Sequence, residues 1–157
     1  MTHRIIDVKV LKDFVVLAVF QNGVEKEYDI KGLFNVFPQF VQLSEDNKLY
    51  KSVKVDVGGY GISWNDELDL SAEEIWENGV ESKKTCEVDI LHQIGYKLTN
   101  ARNEANITQK ELAEKTQIYQ ADISRIERGF GNPSIKTLQR LAEGMGMELQ
   151  LEFIQKK

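Results

Sequence analysis

The spacing of apolar residues changes once along this chain, from every second position before about residue 80 to every third or fourth position after residue 89. A period of two lines one face of a strand, and a period near 3.6 lines one face of a helix. A chain that keeps the two patterns in separate halves is expected to fold as an α+β part followed by an all-α part. Its 157 residues suit two small domains. The pattern places a first domain at residues 1–80, a polar linker without clear period at 81–88, and a second domain at 89–157.

The first half predicts a small antiparallel sheet with a short helix. Ile6, Val8 and Val10 alternate with polar neighbours, and Phe14 to Phe20 is continuously apolar, as a buried strand would be. Asn22-Gly23 is a favoured two-residue hairpin turn, after which Val24, Lys26, Tyr28 and Ile30 alternate with acidic residues. Residues 31–50 are irregular, with room for one helical turn. Val53 to Val57 and Tyr60 to Trp64 read as two further strands around Gly58-Gly59. Ser71-Ala-Glu-Glu74 fits a capping box opening a short helix that stops at Asn78-Gly79.

From Asp89 onward Ile94, Leu98, Ala101 and Ala105 recur at helical spacing. Thr108-x-x-Glu111 is a second capping box, so a new helix starts there with Leu112 and Ala113 inward. A third helix carries Ile123 and Ile126 and stops at Gly129. A fourth follows the Asn132-Pro133-Ser134 turn, with Ile135, Leu138, Leu141 and Ala142 inward.

The runs Ile107-Thr-Gln-Lys-Glu-Leu-Ala-Glu-Lys115, Ile123-Ser-Arg-Ile-Glu-Arg-Gly129 and Asn132-Pro-Ser-Ile-Lys-Thr-Leu138 resemble the XRE, or lambda-repressor-like, helix-turn-helix family. The resemblance implies that Gln109 anchors the second helix on a phosphate. It implies that the third helix enters the major groove of double-stranded DNA with Gln120, Ala121, Ser124 and Arg125 at base edges. Such residue types suit adenine, thymine methyl and guanine contacts. Arg128, Asn132 and the Gly129–Gly131 backbone would lie on phosphates, which position without specifying. Arg102 and Glu127 match the family's internal ion pair, a structural role. An exposed polar helix face is the alternative for Gln109, Gln120 and Arg125, and Ser124 is equally a small outward residue. Three residues depart from the pattern. Gln117 replaces the turn glycine, Tyr119 replaces a capping Ser or Thr, and Asp122 brings a carboxylate near phosphates.

After the helices, Met147, Leu149, Leu151 and Phe153 alternate strictly with polar residues, which predicts a C-terminal β-strand at 147–154. A lone strand must find a partner. Either it pairs with its copy across a two-fold axis, giving a homodimer, or it joins the sheet of its own first domain. Antitoxins resembling this family often end in such a strand.

Tyr28-Asp-Ile30, Leu49-Tyr50, Gly58-Gly-Tyr-Gly-Ile-Ser-Trp64 and Leu68-Asp-Leu-Ser71 resemble domain-of-unknown-function family 2442, which implies a fold and no activity. No chemistry is apparent there. Gly58 to Gly61 precedes a strand and lacks the Lys-Ser/Thr of a phosphate loop. Asp56, Asp66 and Asp69 lack a metal-ligand spacing, His3 and His92 are isolated, and Trp64 and Trp76 read as core. No metal, no cofactor and no enzyme activity are expected.

Charge decides what remains. Residues 1–85 hold 10 Lys and Arg against 15 Asp and Glu, whereas residues 86–157 hold 10 against 10. The helical part is neutral, so DNA affinity would rest on local placement of cations rather than on bulk attraction. The acidic first part would suit sensing or a basic, toxin-like partner protein. A single cysteine, Cys86, rules out an intrachain disulfide, and neither a membrane span nor a signal segment is evident. The sequence therefore predicts a cytoplasmic, dimeric, sequence-specific DNA-binding repressor, or alternatively an antitoxin-like protein that represses its own operon.

Overall fold

The computed structural model describes residues 2–84 and 87–156, divided into two compact units, 1–88 and 89–157. Cys86, with Thr85 beside it, lies outside the described residues.

The first unit holds two antiparallel sheets. Strands β1 (Ile5–Val10), β2 (Val15–Phe20), β3 (Glu25–Asp29) and β7 (Val80–Glu81) form one in the order β1-β2-β3-β7. Strands β4 (Lys54–Val55), β5 (Gly61–Ser63) and β6 (Asp69–Ser71) form the other. Between them in sequence lie three helices of one turn or little more, α1 (Lys31–Phe34), α2 (Gln42–Glu45) and α3 (Asn47–Lys51), with α4 (Ala72–Asn78) following β6. Helices this short do not persist in water by themselves. They hold here because Leu33, Leu43 and Tyr50 are buried in one core with Phe20, Ile30, Ile62, Leu68 and Ile75. That is why residues 31–50 show three helices where local pattern predicts one turn.

Several local expectations are corrected. The second strand begins at Val15, because Asp13 and Phe14 both take left-handed backbone at φ 58° and 60°. Phe14 is turned inward by that conformation, its ring 5.7 Å from Phe34 and 5.2 Å from Tyr50. The Asn22-Gly23 hairpin is a three-residue connection rather than a two-residue one. Gly23 N donates to Phe20 O, Phe20 N donates to Val24 O, and only Gly23 has positive φ, at 88°. The 53–57 strand shrinks to two residues, with Val57 exposed.

Gly59 is required where it stands. A Cβ there would meet the Ile5 carbonyl at 2.4 Å, and its own carbonyl accepts from Ile5 N at 2.8 Å. The box at Ser71 is half made. Ser71 Oγ accepts from Glu74 N at 3.1 Å, but the Glu74 carboxylate accepts from Tyr28 Oη (2.8 Å) and Asn78 Nδ2 (3.0 Å) instead. β7 lies where the linker was expected to begin, since residues 80–81 pair with Lys26 and Glu27 through backbone alone. His3 is not isolated. It stacks on Trp76 with centroids 3.9 Å apart, and its Nδ1 lies 2.7 Å from Glu73 Oε2. His92 pairs with Asp89 at 3.0 Å.

The second unit is four helices, α5 (Ile90–Glu104), α6 (Gln109–Thr116), α7 (Gln120–Glu127) and α8 (Ile135–Gly144). Leu98, Leu112, Ile123, Ile126 and Leu141 form its core. Caps define three of the four starts. Asp89 accepts from His92 N, and Ser134 accepts from Thr137 N at 3.1 Å. Thr108 and Glu111 complete a reciprocal box, with Glu111 N donating to Thr108 Oγ1 (3.1 Å) and Thr108 N donating to Glu111 Oε2 (2.7 Å). Among the described residues no ladder includes residues 147–156, so the segment expected as a strand at 147–154 pairs with no strand of this chain.

Candidate nucleic-acid interface

Helix α7 packs on both α5 and α6 through Ile123, Ile126 and Glu127, all buried. Each residue advances a helix by about 100°, so the opposite face is Ala121, Arg125 and Arg128, flanked by Gln120 and Ser124. Gln120, Ala121 and Arg125 are exposed, while Ser124 and Arg128 are half-buried. Asp122 falls on the flank, nearer the Asn132–Ser134 turn, with which it and Arg125 share a shallow depression.

What holds that face in place is one buried carboxylate. Glu127 is fully buried. It accepts from Arg102 Nε at 2.6 Å and Nη2 at 3.0 Å, and from Gln109 Nε2 at 2.8 Å. Arg102 Nη1 also donates to Ile107 O at 2.9 Å. Four segments, α5, the turn before α6, the first residue of α6, and α7, meet at this group. An ion pair of such depth is tolerable because each partner is satisfied. Gln109 is therefore engaged inside the fold as well as facing outward. An amide nitrogen carries two hydrogens, so the bond to Glu127 leaves one for an external acceptor.

The turn between α6 and α7 shows how this chain accommodates its departures. Gln117 adopts φ 57° and ψ 32°, a left-handed conformation that costs a non-glycine residue about 1–2 kcal/mol. Its side chain returns part of this, since Gln117 Nε2 donates to Glu114 O at 2.7 Å and satisfies a carbonyl at the helix end. Arg140, from α8, donates to the Thr116 carbonyl beside it. Tyr119 stands at the N-cap of α7 with no side-chain bond and is 82% exposed. Asp122 sits in the first turn of α7, where a carboxylate is stabilised by the helix dipole. That gives Asp122 a local reason independent of any ligand.

Around the far end of α7, Arg128 Nε donates to Ser124 O at 3.3 Å, and its guanidinium lies 5.9 Å from the Phe130 ring, which is exposed. Asn132 is exposed in the turn before α8. The structure thus puts Ala121, Arg125 and Arg128 on one face of α7 with Ser124 and Gln120 along its flank, and brings Arg125 to the same depression as Asn132. Sequence reasoning missed Arg140 and the Gln109–Glu127 bond, which join residues far apart in sequence. Among the described residues no three His, Cys, Asp or Glu side chains gather as a metal would require.

Comparison with known proteins gives the same division. The family described as helix-turn-helix matches residues 98–151, and the family described as protein of unknown function (DUF2442) matches residues 5–81. The immunity repressor protein of Bacillus phage phi105 is 34% identical over 56 residues, covering 36% of this chain and 39% of that one. The uncharacterized HTH-type transcriptional regulator y4dJ of Sinorhizobium fredii is 32% identical over 60 residues, covering 38% of this chain and 78% of that one. The chain therefore matches well under half of the phage protein's length and most of the other's. The solved structure of NE0471 from Nitrosomonas europaea overlays with a TM-score of 0.42 at 12% identity, covering 88% of this chain and 84% of that one.

Proposed function

The chain belongs to the helix-turn-helix family, joined here to a DUF2442 region, and from that premise we propose that it is a sequence-specific, double-stranded DNA-binding transcriptional repressor. It acts by binding and not by catalysis, as a homodimer, with its first unit serving in sensing or protein interaction. The observation that carries this reading is the α7 face. Exposed Gln120, Ala121 and Arg125 are presented on a helix whose other side is fixed by the Glu127 carboxylate.

The names of the two curated relatives, a repressor and a transcriptional regulator, support the regulatory role. The dimer is supported by the C-terminal tail. Leu151, Phe153 and Ile154 stand exposed, and no ladder uses the segment among the described residues. Pairing two tails would cover an apolar row and double the number of phosphate contacts made by a unit of nearly balanced charge.

Selection of bound DNA from a random pool, at stated salt, tests the reading directly. A common half-site should emerge. On it Arg125→Ala should lose about 1–3 kcal/mol, whereas Arg128→Ala should weaken all sequences alike and lower the salt slope by about one. An unenriched pool, or selected DNA bound equally by wild type and Arg125→Ala, would overturn it.

A further inference from the structure

The sheet β4-β5-β6 ends in a strand edge that no other described strand covers. Its register identifies which groups face outward. Trp64 N donates to Leu68 O, Ala72 N donates to Tyr60 O, and Ile62 lies opposite Leu70. In an antiparallel ladder bonded and unbonded pairs alternate, so Leu70 turns its amide and carbonyl to β5. Asp69 and Ser71 direct theirs away from it.

Beside that outer edge runs a groove in the first unit. Buried Leu33, Phe40 and Leu70 line it together with Phe37, which is 46% exposed. Glu67 and Asp69 are exposed on the rim, and none of the described residues lining the groove is Lys, Arg or His. The Ser71 carbonyl is taken up by the first turn of α4, so the Asp69 amide and carbonyl and the Ser71 amide face outward beside an apolar wall and a negative rim.

We propose that the β6 edge and this groove accept an extended, basic segment of a partner protein, added as a further strand to the β4-β5-β6 sheet. Main-chain bonds to Asp69 and Ser71 would supply affinity that is blind to sequence. An aliphatic or aromatic side chain of the segment would rest on Phe37 and Leu33, and Lys or Arg beside it would meet Glu67 and Asp69. The inference deepens the protein-interaction role given to the first unit and does not depend on DNA recognition.

The test uses random peptides displayed on phage, selected on the immobilised full-length chain, with the enriched peptide labelled for fluorescence anisotropy. Ser71 lies at φ −69° and ψ 149°, a conformation proline adopts. Ser71→Pro therefore removes the outward N–H, and Ser71→Ala removes the same helix cap while keeping that N–H. The enriched peptides should combine Lys or Arg with alternating apolar residues. They should bind Ser71→Ala like wild type, and Ser71→Pro about tenfold more weakly or worse. Phe37→Ser, at an exposed position, should weaken binding by a similar factor, and Glu67→Gln with Asp69→Asn should weaken it most at low salt. No enrichment above a blank surface, enriched peptides lacking basic residues, or binding unaffected by Phe37→Ser and equal for Ser71→Pro and Ser71→Ala would each overturn the proposal. Gel shifts with Ser71→Pro on the selected DNA should be unchanged, which separates this proposal's failure from that of the DNA reading.

Discussion

Gln109, the first residue of α6, donates its side-chain amide to Glu127 on α7 at 2.8 Å, so the helix that would rest on the DNA backbone and the helix that would read bases share one buried anion. Arg102 completes the arrangement from α5. Removing the carboxylate leaves a guanidinium, 12% exposed, without its counter-ion. Glu127→Ala should therefore cost the second unit about 3–5 kcal/mol. Urea melts followed by far-ultraviolet circular dichroism will read this loss in the helices. Tryptophan fluorescence reports only the first unit, since Trp64 and Trp76 both lie there, and its transition should stay where it is. A single shared shift in both signals would contradict the prediction.

Gln117 separates strain from bonding. Alanine there keeps the left-handed strain and loses the bond to Glu114 O, worth about 0.5–1.5 kcal/mol. Glycine loses the same bond but relieves about 1–2 kcal/mol of strain, against an added backbone entropy cost of about 0.5–1 kcal/mol. Gln117→Gly is expected within about 1 kcal/mol of wild type and roughly 0.5–1 kcal/mol more stable than Gln117→Ala. A Gln117→Gly variant less stable than Gln117→Ala by about 0.5–1 kcal/mol, the bare entropy cost of glycine, would show that the turn is unstrained.

Acid should weaken the first unit through Glu73. Burial pushes this carboxyl up, but the backbone N–H and the ring of His3 outweigh it and hold it below its ordinary 4.5. A depressed carboxyl stabilises the fold above its unfolded value, and that contribution is lost as pH falls below 4.5 through the folded value. Glu73 is 47% exposed, so solvent screening limits the effect to under about 1 kcal/mol. Tryptophan-monitored urea melts near pH 6 and near pH 3.5 should show a smaller acid loss in Glu73→Gln than in wild type. An identical loss in both would place the acid sensitivity elsewhere.

The tail gives the assembly prediction. Leu151→Glu combined with Phe153→Glu places charges on the apolar row, and light scattering should show the mass fall from two chains to one. Wild-type melting temperature should rise with protein concentration, and that of the double variant should not. A dimer retained by the variant would move the interface to another surface.

How much of this was legible in sequence differs between the units. In the second, cap and periodicity coincide at Thr108 with Glu111 and at Ser134, so helix starts are written locally and the structure puts them there. The strain at Gln117 was legible through the family resemblance alone, as a departure from the glycine that the family carries in that turn. Bonds that tie distant segments left no such trace. Arg140 on the Thr116 carbonyl and Gln109 on Glu127 depend on which helices meet, not on spacing. In the first unit five of the strands were visible and their ends were not, while β6 and β7, three and two residues long, were missed. Phe14 belongs to an apolar run, yet its place is decided by Phe34 and Tyr50. Glu74 has the spacing of a capping partner but is drawn away by Tyr28.

The left-handed pair Asp13-Phe14 also bears on the order in which the first unit assembles in time. The turn joining β2 to β3 places its one left-handed residue at Gly23, at little cost, and can close on its own. The turn joining β1 to β2 holds two non-glycine residues in that region, about 1–2 kcal/mol each, and is compensated only once Phe14 is seated against Phe34 and Tyr50. The β2–β3 hairpin should therefore lead, with β1 docking after the rate-limiting step. In stopped-flow tryptophan fluorescence, Gly23→Ala is expected mainly to slow folding and Phe14→Leu mainly to hasten unfolding. On that outcome the turn before β2 would set β1 behind the β2–β3 hairpin in folding and ahead of it in unfolding.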